Sequence, residues 1–393
     1  MNINNGQYSG KRNYSEEEII ENSKIVINNR VYDSFSRIIS TVIEGKGNQV
    51  FSPVALYMVM IILSTTASEK TKRQIMRLLD VNDAEIYDIY TEIRTLINPG
   101  YSETKCDIAS SMWLNKELDY NQDLLQVLNN YYDVFSYEGN MGDRDMDKRI
   151  ADWINANTGN LLKNKVDIRT DILTVFVLIT TIYFKAKWNH RFTGTNPGDF
   201  ILESGHNVKC DYMRHKDKAR YHPGNRFIAF SKRLEGDYEA VFVLPKRGYT
   251  VNELLHDSQV MELAERNMIS TTEFIDVDMT IPQFDISSKI DLKDTLKRLG
   301  INDVFLPERR NHFKNITKNA DEVILSQAEQ TTRVRVDVNG IEAASVVYIP
   351  GLGSALPPKS AKIVLDRPFL FFVNSKNSMP IIAGKVMNPA ESK

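Results

Sequence analysis

The side chains able to do covalent or metal chemistry are few and scattered. The chain carries 6 histidines (His190, His206, His215, His222, His256 and His312) and 2 cysteines, Cys106 and Cys210. Catalysis would need a nucleophile beside a base, or a cluster of metal ligands. No HxxH or HExxH spacing joins the histidines, and no GxSxG turn, GxxxxGK loop or CxxC pair occurs. Each histidine therefore reads as a surface or packing residue. The cysteines are too few for a disulfide framework and read as reduced thiols. The expectation is a protein that is not an enzyme, with no cofactor and no metal.

What remains is chemistry done to the chain. In Asp337 to Pro358, DVNGIEAASVVYIPGLGSALPP, a strand pattern gives way to an exposed loop. Arg333 to Val338 alternates polar and apolar residues, as a half-buried strand does. Asn339-Gly340 is a hairpin dipeptide. Ile341 to Ile349 is a run of small and β-branched residues that could lie in a sheet, yet it leads into Pro350-Gly351-Leu352-Gly353 and Pro357-Pro358, which belong on a solvent-facing loop. Such a segment can be out of a sheet or in it.

The elements that must position this stretch are helices first and strands later, which indicates one α+β domain. Ser15-Glu16-Glu17-Glu18 looks like a helix start, and apolar residues recur at helical spacing from Ile19 to Val42. Phe51-Ser52-Pro53 opens a helix, Val54 to Leu63, that is apolar nearly all round and so should be buried. Further helices are expected over Glu69 to Leu79, Asp83 to Ile97, Leu124 to Val134, Asp147 to Thr158 and Ile290 to Leu299. Strands are expected over Asp107 to Leu114, Phe200 to Leu202, Ala219 to Tyr221, Phe227 to Phe230, Glu239 to Leu244 and Phe274 to Ile281. Val323 to Leu325, Ile363 to Leu365, Leu370 to Val373 and Ile381 to Val386 follow. Leu173 to Phe184 is a near-continuous apolar run, the pattern of a central strand buried on both faces.

Taken in order, these segments resemble the serpins. Phe51-Ser52-Pro53 resembles the start of the family's buried helix. Asp152-Trp153-Ile154-Asn155 with Asn157-Thr158-Gly159 resembles its NxWV…TNG segment, and Ile182 to Trp188 its IYFKGxW strand end. Ile281-Pro282-Gln283-Phe284 with Asp291-Leu292 and Leu299-Gly300 resembles its LPKF…DL…LG run. Pro368 to Phe371 and Gly384 to Pro389 match its C-terminal pair, and Gly340-Ile341-Glu342-Ala343-Ala344-Ser345 resembles its hinge. The likeness runs from about Val31 to Pro389.

The resemblance implies the serpin fold, a helical N-terminal part packed on a large mixed β-sheet with further sheets. Residues 1–14 would be a flexible extension, residues 15–393 one domain, and about 339–362 an exposed reactive-centre loop. It also implies a serine protease inhibitor acting as a suicide substrate. The protease cuts the loop, forms its acyl-enzyme, and is trapped as the loop enters the sheet. Alternate positions Ile341, Ala343, Ser345 and Val347 would face inward and suit burial, while Glu342 faces out. The alternative is a non-inhibitory serpin acting as a binding protein or chaperone.

Counting from Glu342 by the family's interval puts the reactive bond at Ser354–Ala355. Leu352 and Lys359 are the alternatives. A small residue before the cut favours elastase-like or chymotrypsin-like targets over trypsin-like ones. The family's sheet-opening cluster maps to Ser52, Thr180 and Thr332, with two threonines in place of an Asn–His pair. There are departures: the two acidic residues usual in the family between the positions filled here by Asn339 and Gly340 are missing, Ile341 stands where a Thr or Ser is usual, and Pro350 lies where an inserted strand would prefer a backbone donor.

Composition narrows the partners. A net charge of −2 gives no general attraction to nucleic acid or anionic membrane, and no run of about 18 apolar residues is present for membrane insertion. Lys70, Lys72, Arg73 and Arg77 read as a solvated face, not a polyanion site. The chain is expected to be a monomer. Met1 to Arg12 carries no apolar core, so the reading is cytoplasmic, or extracellular or cell-surface by an unconventional route. Asn13 and Asn315 fit the glycosylation triplet.

Overall fold

The computed structural model describes residues 29–98, 103–163, 165–266, 268–306, 312–313, 315–317, 329–341 and 359–391. The helix start at Ser15, the strand at Val323 to Leu325, and Asn13 lie outside them. The described helices, in chain order, are α1 (Asn29–Ile43), α2 (Pro53–Thr66), α3 (Glu69–Leu79), α4 (Ile86–Ile97), α5 (Gln122–Tyr132), α6 (Arg144–Ala156), α7 (Val251–Leu254), α8 (Ser258–Arg266) and α9 (Lys293–Arg298). The strands are β1 (Gln49–Phe51), β2 (Lys105–Asn115), β3 (Val134–Gly139), β4 (Phe176–Lys187), β5 (Thr195–Ile201), β6 (Asn207–Pro223), β7 (Phe227–Leu234), β8 (Tyr238–Pro245), β9 (Glu273–Pro282), β10 (Phe284–Asp291), β11 (Glu329–Val336), β12 (Gly340–Ile341), β13 (Ser360–Val364), β14 (Phe369–Asn374) and β15 (Pro380–Val386).

Two mixed sheets result. One runs β10-β11-β12-β4-β2-β3; the other runs β1-β15-β14-β8-β7-β6-β9-β13, with β5 paired to β6. An apolar core extends from Val31 in α1 to Val386 in β15 and joins helices to both sheets. At its centre is α2, buried everywhere except at Val59 and Thr65. Ser52 caps it, its hydroxyl accepting from Ala55 N at 3.2 Å, and Pro53 takes the first-turn position that needs no donor. Each fully buried aliphatic side chain here stabilises the fold by roughly 1.5–3 kcal/mol.

Several boundaries differ from the pattern-based reading. The helix expected over Ile290 to Leu299 shrinks to α9, because Ile290 is claimed by β10, where it pairs with Gln330. The helix expected to reach Val134 ends at Tyr132: Asp133 turns left-handed at φ 50°, and Val134 begins β3. The chain from Asp83 becomes helical only at Ile86.

The largest correction concerns β4. It is central, yet Phe176 to Thr180 are only half-buried, and Leu173, just before it, is 84% exposed. Among the described residues its ladder toward β11 consists of Lys187 and Ala186 alone, paired through β12. Three basic residues of α3 are ion-paired: Lys70 with Asp303 at 2.8 Å, Lys72 with Asp83, and Arg73 with Glu69 at 3.8 Å. No helix among the described residues is long and apolar enough to cross a membrane.

Candidate functional site

The strand β11 does not simply end at Val336. Asp337 N donates to Gly340 O at 3.1 Å and Asn339 N donates to Asp337 Oδ1 at 2.8 Å, closing a turn that reverses the chain. This is the work expected of Asn-Gly. The reversed chain becomes β12, with Ile341 opposite Val336 on one side and Ala186 on the other. Gly340 and Ile341 thus start a strand between β4 and β11. Ile341 is 3% exposed, its side chain in the core.

The turn is held from the β4 side. Trp188 Nε1 donates to Asp337 O at 2.8 Å, Trp188 N to Asn339 O at 3.1 Å, and Phe192 N to Val338 O at 3.3 Å. Beside it, Lys187 is nearly inaccessible and ion-paired with Glu103 and, at 3.8 Å, with Glu235. The Lys187 hydrogen bond, then its charge, holds the Glu103 carboxyl below its ordinary range.

Only glycine fits at position 340. A Cβ there would lie 2.3 Å from Ala186 O and 2.6 Å from Lys187 Cα, both backbone atoms that cannot swing away. Gly340→Val should therefore push β12 off β4. Overpacking typically costs 1–3 kcal/mol, which at about 2 °C per kcal/mol for a large chain lowers the thermal midpoint of the uncleaved protein by roughly 2–6 °C. Calorimetry of the variant checks this; an unchanged midpoint would mean that β12 is not seated against β4.

Ser52, Thr180 and Thr332 are not joined to one another by hydrogen bonds. Thr180 Oγ1 is 2.9 Å from Ser110 Oγ, across the β2–β4 ladder. Thr332 lies opposite Ser288 in β10 and is 6% exposed. The residue of β11 that meets Ser52 is Gln330, two positions earlier. Its Oε1 accepts from Ser52 N at 3.1 Å and its Nε2 donates to Ser52 O at 3.3 Å. This corrects the assignment of Thr332. A carboxamide can bind a peptide group through both of its ends, which a threonine hydroxyl cannot. The signal was available in the alternation of β11, but motif counting landed one alternation too late.

The sequence model of the family described as "Serpin (serine protease inhibitor)" matches residues 30–389. This chain belongs to the serpin family. Rat alpha-1-antiproteinase is 26% identical to it over 358 residues, covering 88% of this chain and 84% of that protein. Among solved structures, the thermophilic serpin tengpin in its native state superposes with a TM-score of 0.80 at 22% identity, covering 97% of this chain and 96% of that one. Human thyroxine-binding globulin, solved in complex with thyroxine, superposes with a TM-score of 0.77 at 22% identity, covering 92% of this chain and all of that one. At such identities the two structures speak for the fold alone, and that fold is the serpin arrangement of helices and mixed sheets.

Of the serpin's remaining site positions, Glu342, Ala343, Ala344, Ser345, Leu352, Ser354 and Ala355 lie outside the described residues. Lys359 is described. Its ammonium pairs with Glu273 at 3.2 Å, its carbonyl accepts from Asp276 N at 3.3 Å, and Ser360 begins the β13 ladder with β9. Asn315 Nδ2 donates to Ala67 O at 2.8 Å, and Thr317, the third residue of its triplet, is 1% exposed with its hydroxyl on Asp119 O. His222 and His312 are buried packing residues, bonded to Thr272 and Thr71 hydroxyls. His190 and His215 are different, because the fold brings both against Asp217. Sequence spacing could not show this: His190 comes from the segment after β4, whereas His215 and Asp217 lie on β6.

Proposed function

We propose that this serpin inhibits serine proteases as a suicide substrate, through cleavage of the loop that follows Ile341 and its entry between β4 and β11. The observation that carries this is β12 itself. Gly340 and Ile341 already pair with β4 and Ile341 also with β11, and the side chain that enters the core is apolar and unchargeable. Extending that register puts Ala343 opposite Phe184 and Val334, Ser345 opposite Ile182 and Thr332, and Val347 opposite Thr180 and Gln330. Small or apolar residues therefore meet the inward face throughout. Glu342 falls on the other face, opposite Lys185 and Arg335, where its charge is matched.

The reactive bond is read as Ser354–Ala355, with an elastase-like or chymotrypsin-like target. A protease grips several extended residues on each side of the bond it cuts. The ladder and the ion pair that hold Lys359 and Ser360 favour a cut well before them. The experiment is incubation with elastase, chymotrypsin and trypsin, followed by a denaturing gel and mass spectrometry of the released C-terminal fragment. The expected result is a covalent complex with elastase or chymotrypsin and a fragment beginning at Ala355. A fragment beginning at Ser360 would move the site to Lys359 and the target to trypsin-like enzymes. Cleavage without any covalent complex would instead favour a non-inhibitory serpin, a binding protein or chaperone. The fold likeness to a thyroxine-binding member keeps that second reading in view.

A further inference from the structure

Beside the hinge turn, three potential metal ligands meet: His190, and the pair His215 and Asp217 from farther along the chain. His215 and Asp217 alternate on β6 and so share one face. His190 comes from the segment just after β4. The ligand atoms of the three residues lie within 4.8 Å of one another. His190 Nδ1 is 2.7 Å and His215 Nε2 3.9 Å from the same oxygen, Asp217 Oδ2. The other carboxylate oxygen, Oδ1, accepts from Lys218 N at 2.8 Å, which fixes how the group points. We propose that His190, His215 and Asp217 form a binding site for a divalent transition metal of the zinc class.

The chemistry suits that ion. Two imidazoles and one carboxylate form a mixed nitrogen–oxygen set, and donors about 2.0–2.2 Å from a zinc sit roughly 3.3 Å apart in a tetrahedron. The two separations to Asp217 Oδ2, 2.7 and 3.9 Å, straddle that value. Burial, then the neighbouring Lys232 charge, lowers the His215 pKa. His190 is half-exposed, so the fourth position faces solvent and takes water.

The groups around the site set its limits. The Lys232 ammonium, almost wholly buried and over the Phe192 ring at 4.9 Å, lies 3.8 Å from Asp217 Oδ2 and competes with a cation for it. Site occupancy has a structural consequence. His190 lies between Trp188 and Phe192, whose nitrogens hold the hinge turn. A metal would tie that segment to β6 and stiffen the mount of the hinge.

Titration of uncleaved, chelator-stripped protein with zinc chloride tests this by calorimetry, with thermal unfolding in parallel. One ion should bind per chain, and the thermal midpoint should rise by roughly 4 °C or more when zinc is at about 100 times Kd. His190→Ala and Asp217→Asn should each weaken binding at least about 10–100-fold. His190 is exposed enough for its variant to fold, and an unchanged metal-free midpoint verifies that. Lys232→Met should tighten binding by roughly tenfold, while His206→Ala, at a separate turn, should bind as the parent does. Zinc binding that survives His190→Ala and Asp217→Asn unchanged, or that is lost in His206→Ala, overturns the site. None of these readouts depends on whether the protein inhibits a protease.

Discussion

Cutting the loop should raise the thermal midpoint of this serpin by roughly 10 °C or more. Among the described residues, β4 and β11 are bridged only where β12 lies between them, and the lower part of β4 is half-buried although it is the middle of a sheet. A strand of nine residues from Ile341 would reach roughly 30 Å at about 3.3 Å per residue. It would add on the order of sixteen ladder hydrogen bonds, near 1 kcal/mol each in net terms. Ordering those residues costs about 1–2 kcal/mol apiece, which offsets much of that gain. Burying Val347 and the half-exposed face of β4 supplies a surplus of several kcal/mol, or about 10 °C at roughly 2 °C per kcal/mol. The check is thermal unfolding before and after limited proteolysis at a site mapped within 342–358. A midpoint that stays put or falls would show that the cut loop does not enter the sheet.

How much of this was readable in the sequence depends on whether the information is local. The α2 helix was legible because Ser52-Pro53 marks its start and its apolar residues leave no polar face, so burial follows from the residues alone. The hairpin at Asn339-Gly340 was legible for the same reason. By contrast, β3 hides behind a helix C-terminus, and Ile290 fits both a helical and an alternating pattern. Its pairing with Gln330, 40 residues on, decides between them. The exposure of β4 was not legible at all. An apolar run says what a strand could bury, whereas its burial depends on which neighbour is paired to it.

The site divides along the same line. The seating of Ile341 in the core is local and could be read directly. The contact between Ser52 and Gln330 spans 278 positions and depends on which β11 residue faces the start of α2, so a two-residue slip in alignment misassigned it to Thr332. The meeting of His190, His215 and Asp217 comes from the packing of β6 against the segment after β4. Only coordinates could reveal it.

Register also decides the second large effect: Ala343→Arg should turn the protein from an inhibitor into a substrate. The seated pair Ile341 and Ala186 fixes which side of the strand enters the core, and two residues on the same side is Ala343. Its neighbours across the ladders would be Phe184 and Val334, 7% and 4% exposed, with no carboxylate between them. A guanidinium placed there must shed its water without a partner, which costs several kcal/mol. Insertion then slows by orders of magnitude, since each 1.4 kcal/mol is about tenfold in rate. The acyl-enzyme has time to hydrolyse, and the protease leaves. Gels should show cleaved variant in place of covalent complex, with full protease activity recovered. Ala344→Arg is the matched control. Its side chain would fall on the outer face opposite Tyr183 and Arg333, so trapping should persist at a reduced rate. If Ala343→Arg traps protease at the parental stoichiometry while Ala344→Arg does not, the strand enters one residue out of register, and Ile341 does not set the inward face beyond β12.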